Sequence, residues 1–315
     1  MSATAIAATV ESLRGKPWNS TEVPDEVLKA HGMLGEEERR CLFHLAKEHY
    51  SGRGEVVDAG AFIGASASSL AAGMAASGRV EGSGKHLFSY DYFAAIDEYV
   101  ADFISESVRP IERGESYLDV FEGQTAPWSD LIEAIPGDFC EAEWIGSPIE
   151  LLFIDIAKTR KLHSHVVRSF FGHLIPGHSV VIHQDYQHAW HPYIHISMEF
   201  LGDHFELIDP LVEHQSRVWI YKEEIPEDRL ARVVDYDFTV EERAELLEDL
   251  VARESGPSRD MLRVVQYWSA WTGKDLERAE RYRAELDADR EQGPEDAIWW
   301  NQFDRMKDFV DKKSQ

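Results

Sequence analysis

Apolar positions along this 315-residue chain fall into three patterns. Up to about residue 52 they recur at helical spacing, and the stretch Glu36 to Tyr50 sets Leu42, Phe43, Leu45 and Ala46 on one face beneath charged positions. From 53 to about 222, apolar runs of strand length alternate with helical stretches. Strands are predicted at Glu55 to Asp58, His86 to Asp91, near Leu131 to Ile135, at Ile149 to Asp155, and at Ser179 to His183 after the turn Pro176-Gly177. A helix through Ala67 to Ala76 separates the first two. Phe205 to Ile208 and Arg217 to Tyr221 follow, the last as an antiparallel hairpin partner. Such alternation argues a parallel sheet with helices on both faces. Beyond about 223 the texture changes to long charged helices, Thr239 to Glu254, Ser258 to Trp271 and Lys274 to Arg290. Three segments result: a helical cap over 1–52, an α/β domain over 53–222 and a helical appendage over 223–315. The appendage aromatics Tyr267, Trp268, Trp271, Trp299, Trp300 and Phe303 fall at helical spacing and read as core.

Charge narrows the partners. A formal net charge of -26, with no Lys/Arg cluster as a local exception, repels a phosphate backbone and disfavours nucleic acid and anionic membranes. A neutral or cationic small molecule is the expected ligand. The N-terminus lacks a basic start, and no window approaches the roughly 18 apolar residues of a membrane span, so a cytoplasmic protein is expected. Cys41 and Cys140 stand far apart and suggest neither a disulfide framework nor a zinc knuckle.

The most informative motif is Val56-Val57-Asp58-Ala59-Gly60-Ala61-Phe62-Ile63-Gly64-Ala65-Ser66, an apolar strand ending in an acid and a glycine turn that opens a small-residue helix. Its Asp-x-Gly-x-x-x-Gly spacing misses the Gly-x-Gly-x-x-Gly dinucleotide fingerprint, which points to S-adenosylmethionine (SAM) rather than NAD. Each end of SAM asks for a different group. Gly60, Ala61, Phe62 and Gly64 would admit the methionine portion, with Asp58 beneath them, and Ser66 would donate a hydrogen bond. Asp91, followed by Tyr92, would accept both ribose hydroxyls. Asp138 would accept from the adenine amino group, with Phe139 as an apolar wall. Because parallel strands end on one crevice, Asp58, Asp91, Asp155 and Asp185 should converge there.

Together with Ser-Tyr-Asp (89–91), Gly-Asp-Phe (137–139), Leu-Leu-Phe-Ile-Asp-Ile-Ala-Lys-Thr (151–159) and Leu-Ile-Pro-Gly-His-Ser-Val-Val-Ile-His-Gln-Asp-Tyr (174–186), the glycine run resembles the class I SAM-dependent methyltransferases. Within them it resembles the macrocin-type sugar and natural-product O-methyltransferases. The resemblance spans roughly Gly35 to Lys222. It implies a Rossmann-like, seven-stranded, mostly parallel sheet with the last strand antiparallel and SAM over the first two strands. Macrocin-type members hold a divalent metal with Asp-x-Asp after the fourth strand and Asp-Asp after the fifth. Here the residues are Asp155-Ile156-Ala157 and Gln184-Asp185, so a magnesium site is not expected, nor a zinc site at His191 and His195. Catalysis is expected from alignment together with a general base, His183, oriented or replaced by Asp185, while Lys158 contacts substrate or pairs with Asp155. Tyr186, Trp190 and Tyr193 wall the acceptor pocket or cover the sheet end.

The leading expectation is metal-independent methyl transfer to oxygen of a sugar or other secondary metabolite, by a protein whose appendage packs on the sheet domain or builds a homodimer contact. The alternatives are a non-methylating displacement within SAM that releases methylthioadenosine, and a non-enzymatic SAM-binding partner protein.

Overall fold

The computed structural model describes residues 3–80, 82–144, 146–213, 216–290 and 298–313. Seven strands form one sheet: β1 Glu55–Ala59, β2 Leu87–Asp91, β3 Ile132–Pro136, β4 Ile149–Ile154, β5 Val180–His183, β6 Phe205–Val212 and β7 Ser216–Tyr221. Their order is β3-β2-β1-β4-β5-β7-β6. The strands β1 to β5 pair in parallel, and β7 runs antiparallel to both β5 and β6. That order, with a reversed strand between the fifth and sixth, is the class I methyltransferase fold expected from the sequence.

Helices α1 Ala3–Arg14, α2 Asp25–Lys29 and α3 Glu36–Glu48 precede the sheet, and α4 Ala65–Ser77 follows β1. The crossovers carry α5 Glu98–Ser107, α6 Leu118–Thr125, α7 Arg160–Phe170 and α8 Pro192–Phe200. After β7 come α9 Glu227–Asp235, α10 Val240–Arg253, α11 Gly256–Thr272, α12 Leu276–Arg290 and α13 Ile298–Lys313.

Alternation along the strands assigns Val57, Ala59, Leu152, Ile154 and Val181 to one face, and Val56, Leu151, Phe153, Val180 and Ile182 to the other. Val166 of α7, Ile194 of α8, Leu247 of α10, Leu262 of α11 and Phe303 of α13 share one continuous core with the first face. The C-terminal helices therefore bury their apolar sides in the sheet's own core. Tyr267, Trp268, Trp300 and Phe303 lie within it, and Trp271 and Trp299 pack against it.

The second face is covered by α1, α3 and α4 through Val10, Leu13, Leu42, Leu45, Leu70 and Met74. Helix α4, built of Ala, Ser and Gly with one Leu and one Met, lets α3 approach its backbone. At Gly73 a Cβ would stand 2.4 Å from the Phe43 carbonyl oxygen and 2.7 Å from Ala46 Cβ. Neither neighbour is a flexible side-chain end. We therefore expect Gly73→Ala to destabilise the protein by about 1–3 kcal/mol, although alanine is the better helix former. Chemical denaturation checks this, and a variant as stable as wild type would show that α3 and α4 can part without loss.

Candidate active site

The strand order turns back between β1 and β4, so the carboxyl ends of these two strands flank the position where an open parallel sheet forms its crevice. A cleft of about 530 Å³ opens there, within the size range of small-molecule sites. Gly60, Ala61, Phe62 and Ser66 line it from the turn after β1, Asp91 and Tyr92 from the end of β2, Phe139 from the loop after β3, and Asp155 and Lys158 from the loop after β4. Gly60 has φ +106°, and a Cβ there would sit 2.7 Å from the Asp155 carbonyl. Only glycine meets both demands.

Asp91 organises the turn. Its Oδ2 accepts from the Phe62 N–H at 2.9 Å, and its Oδ1 accepts from the Phe93 N–H at 3.0 Å and the Tyr117 hydroxyl at 2.6 Å. Phe62 (φ 46°) and Phe93 (φ 50°) are both left-handed non-glycine residues, a conformation that needs compensation. The carboxylate supplies it. Of its roughly four lone-pair sites, three are taken and one on Oδ2 remains. A ribose diol therefore finds one free acceptor here, and the second requires Tyr117 to give way.

The other acids are neutralised differently. Asp58 points with Val56 toward α4, is fully buried, and accepts from the Ser66 hydroxyl at 2.9 Å. Burial pushes its pKa up to about 8, helped by the nearby Asp155 and Asp91 carboxylates and opposed by the Ser66 hydrogen bond. Asp155 and Asp185 share one cation, the Lys158 ammonium, which lies 2.6 Å from an oxygen of each. Burial still raises Asp155 above the usual carboxylate range, with Asp185 adding to the rise and Lys158 opposing it. The two carboxylates in turn hold Lys158 in its charged form against the cost of its desolvation.

Several expected site residues stand off the cleft. Asp58 is sealed beneath the turn. Gly64 is the N-cap of α4, and Asp138 caps a short turn by accepting from the Cys140 N–H at 2.9 Å. Ser66 borders the cleft but gives its proton to Asp58. Asp185 is 5% exposed, beneath Lys158. His183 does not emerge beside a methyl donor: alternation places it with Val181 on the face covered by α7 and α8, where it is wholly buried with its ring 6.0 Å from that of His163. Its pKa is pushed well below the ordinary value, by burial first and then by the neighbouring titratable groups His163, His195 and Lys158. It is not among the residues that line the cleft.

Tyr186 and Tyr193 are buried, and Trp190 packs edge-on against Trp268, so these aromatics cover the sheet end. His195 contacts the Tyr186 and His191 carbonyls, and His191 contacts the Tyr193 hydroxyl. Among the described residues no three His, Cys, Asp or Glu side chains gather in a metal-holding arrangement, and no helix is long and apolar enough to cross a membrane. Sequence reasoning missed Tyr117 and the outer wall of the cleft, Met33, Leu34, Ile96, Asp97, Tyr99 and Val100. No local spacing ties these residues to the glycine turn.

The fold and cleft together define a class I methyltransferase architecture. No protein-family model matches the sequence, and no curated protein matches it. Among solved structures the chain is similar to the O-methyltransferase NovP, at 15% identity and a TM-score of 0.47 over 71% of this chain and 100% of that one. It is also similar to cofactor-bound Rv0187 from MTB, at 14% identity and a TM-score of 0.41 over 69% and 91% of the two chains. A third is the Haemonchus contortus phosphoethanolamine N-methyltransferase 1 in complex with phosphoethanolamine and S-adenosylhomocysteine (SAH), at 11% identity and 0.38 over 82% and 59%.

Asp58 sets a pH dependence. Its folded pKa of about 8 exceeds the ordinary 3.8, so its contribution is complete below about pH 4. As pH rises from there toward 8, the unfolded chain ionises while the native carboxyl stays neutral. Stability falls by up to about 1.4 kcal/mol per pH unit from this group. We expect Asp58→Asn to flatten that slope, so that the variant gains on wild type between pH 5 and pH 8 in denaturation experiments. An equal difference at both pH values would contradict a neutral Asp58.

Proposed function

We propose that this protein is a SAM-dependent methyltransferase acting on oxygen of a small molecule, of the sugar or secondary-metabolite kind, without a divalent metal. One arrangement carries the reading: a glycine turn pinned to Asp91 faces the same cleft as Asp155 and Lys158. The residues fit the cofactor. Three carboxylates, Asp91, Asp97 and Asp155, against one ammonium make a cleft suited to a sulfonium cation. Gly60 to Phe62 would hold the methionine end, the free lone pair of Asp91 a ribose hydroxyl, and Tyr92 and Phe139 the adenine.

SAM, when bound, supplies an electrophilic methyl group on sulfur. The chain's part is to exclude water, orient the acceptor oxygen and receive its proton. Asp155 suits the last task, because it borders the cleft and burial has raised its basicity toward neutrality. Asp155 would take up the acceptor O–H proton, and the methyl group would come from the sulfonium of bound SAM, whose loss of charge leaves SAH. Lys158 fixes Asp155 and supplies the positive charge that a metal between Asp155 and Asp185 would otherwise provide.

Calorimetry with SAH tests the reading. Wild type should bind it. Asp91→Ala should weaken binding by roughly 1.5–3 kcal/mol, whereas Tyr117→Phe, which frees a second lone pair, should bind as tightly or better. No SAH binding by wild type, or unchanged affinity in a folded Asp91→Ala variant, would overturn the assignment.

With an acceptor in hand, turnover should survive EDTA and lose its rate on the acidic side as Asp155 takes up a proton. Loss on chelation restored by magnesium alone would place a metal where we place Lys158.

A further inference from the structure

We propose that the acceptor is an uncharged molecule with a flat apolar ring system, recognised by the outer wall of the cleft in preference to free sugars and phosphorylated compounds. This inference rests on the methyltransferase reading and specifies its second substrate. Seven large hydrophobic side chains are exposed among the described residues, and four of them lie on this one cleft: Tyr92, given above to the adenine, and Met33, Ile96 and Tyr99, which remain for the acceptor. Single exposed apolar residues are ordinary, but a gathering of them in a concavity marks a binding surface.

Two separate segments build the wall. Met33 and Leu34 come from the turn between α2 and α3, while Ile96, Tyr99 and Val100 come from the lead into α5 and its first turn. They meet where the Tyr99 hydroxyl faces the Met33 sulfur at 3.9 Å. The first segment is held in place at Gly32, where a Cβ would stand 2.6 Å from Ala65 Cβ at the start of α4.

Polar inventory separates this wall from the cofactor's. The groups that answer a ribose or an amino-acid end, Asp91 and the turn at Gly60 to Phe62, come from the carboxyl ends of β2 and β1. Met33, Leu34, Ile96 and Val100 offer no side-chain donor or strong acceptor, and Tyr99 offers one hydroxyl. Asp97 is the wall's single charge, and its Oδ1 already caps α5 by accepting from the Val100 N–H at 2.9 Å. A bare sugar would leave most of its hydroxyls unpaired against such a surface, and an anion would face Asp91, Asp97 and Asp155 with the cleft's one ammonium, Lys158, already shared between Asp155 and Asp185. An aromatic ring fits side chains of this kind by stacking and burial.

The test uses three neutral or charged probes of related size on the full chain saturated with SAH: 1-naphthol, methyl glucoside and 1-naphthyl phosphate, followed by calorimetry and naphthol fluorescence. We expect 1-naphthol to bind at least about tenfold more tightly than either of the others. The exposed-site double variant Ile96→Ser/Tyr99→Ser should lose about tenfold in naphthol affinity while SAH affinity changes less than about twofold. Equal binding of the glucoside or the phosphate, unaltered naphthol binding by the variant, or parallel loss of SAH would each overturn the proposal. If wild type takes up no SAH, the methyltransferase reading falls, and 1-naphthol titrated into the free protein still decides whether the wall selects apolar rings.

Discussion

Parallel strands deliver their last residues to one edge of the sheet, and in this protein that edge receives four carboxyl groups in a partly desolvated space. Like charges that close together cannot all stay ionised without compensation. Each is settled differently. Asp58 keeps its proton beneath Ser66, Asp91 collects three donors, and Asp155 and Asp185 share the Lys158 ammonium. The cleft takes its shape and its polarity from these three solutions.

The consequences reach outward from the site. Because Asp91 spends two of its bonds on Phe62 and Phe93, the turns after β1 and β2 are held in left-handed conformations and tied to each other. The carboxylate is thus a structural clasp as well as a proposed ligand group, so a deletion at this position acts through both. Burial has pushed the pKa of both His163 and His183 down, leaving two neutral rings 6.0 Å apart and tilted by 35°, with Tyr193 beside His163. Tyr193 and Val181, beside these histidines, belong to the core that also receives the C-terminal helices.

Much of the fold was legible because its signals are local. An apolar run ending in an acid marks a parallel strand's carboxyl end, which is why Asp58, Asp91 and Asp155 fall within one residue of the ends of β1, β2 and β4. The sequence leaves Lys158 between substrate contact and pairing with Asp155; in the structure it pairs with Asp155 and with Asp185 as well. What escaped was the facing of side chains and the company they keep. His183 follows Val181 by two residues and so shares its face, yet whether that face is open depends on α7 and α8, whose packing no spacing in the sequence reports. The sequence reading gives Asp138 to the adenine amino group, whereas in the structure its carboxylate accepts from the Cys140 N–H, a local contact that no spacing announces. Tyr117 and Met33 reach the cleft from segments remote in sequence, and their roles follow only from the folded geometry.

The most direct test of the central claim is a crystal structure of the protein grown with SAH and magnesium together. The account predicts the adenosine between Asp91 and Phe139, the Tyr117 hydroxyl drawn away from Asp91, and the Lys158 ammonium still seated between Asp155 and Asp185. A ligand bound elsewhere, or magnesium between the two carboxylates with Lys158 displaced, would contradict it.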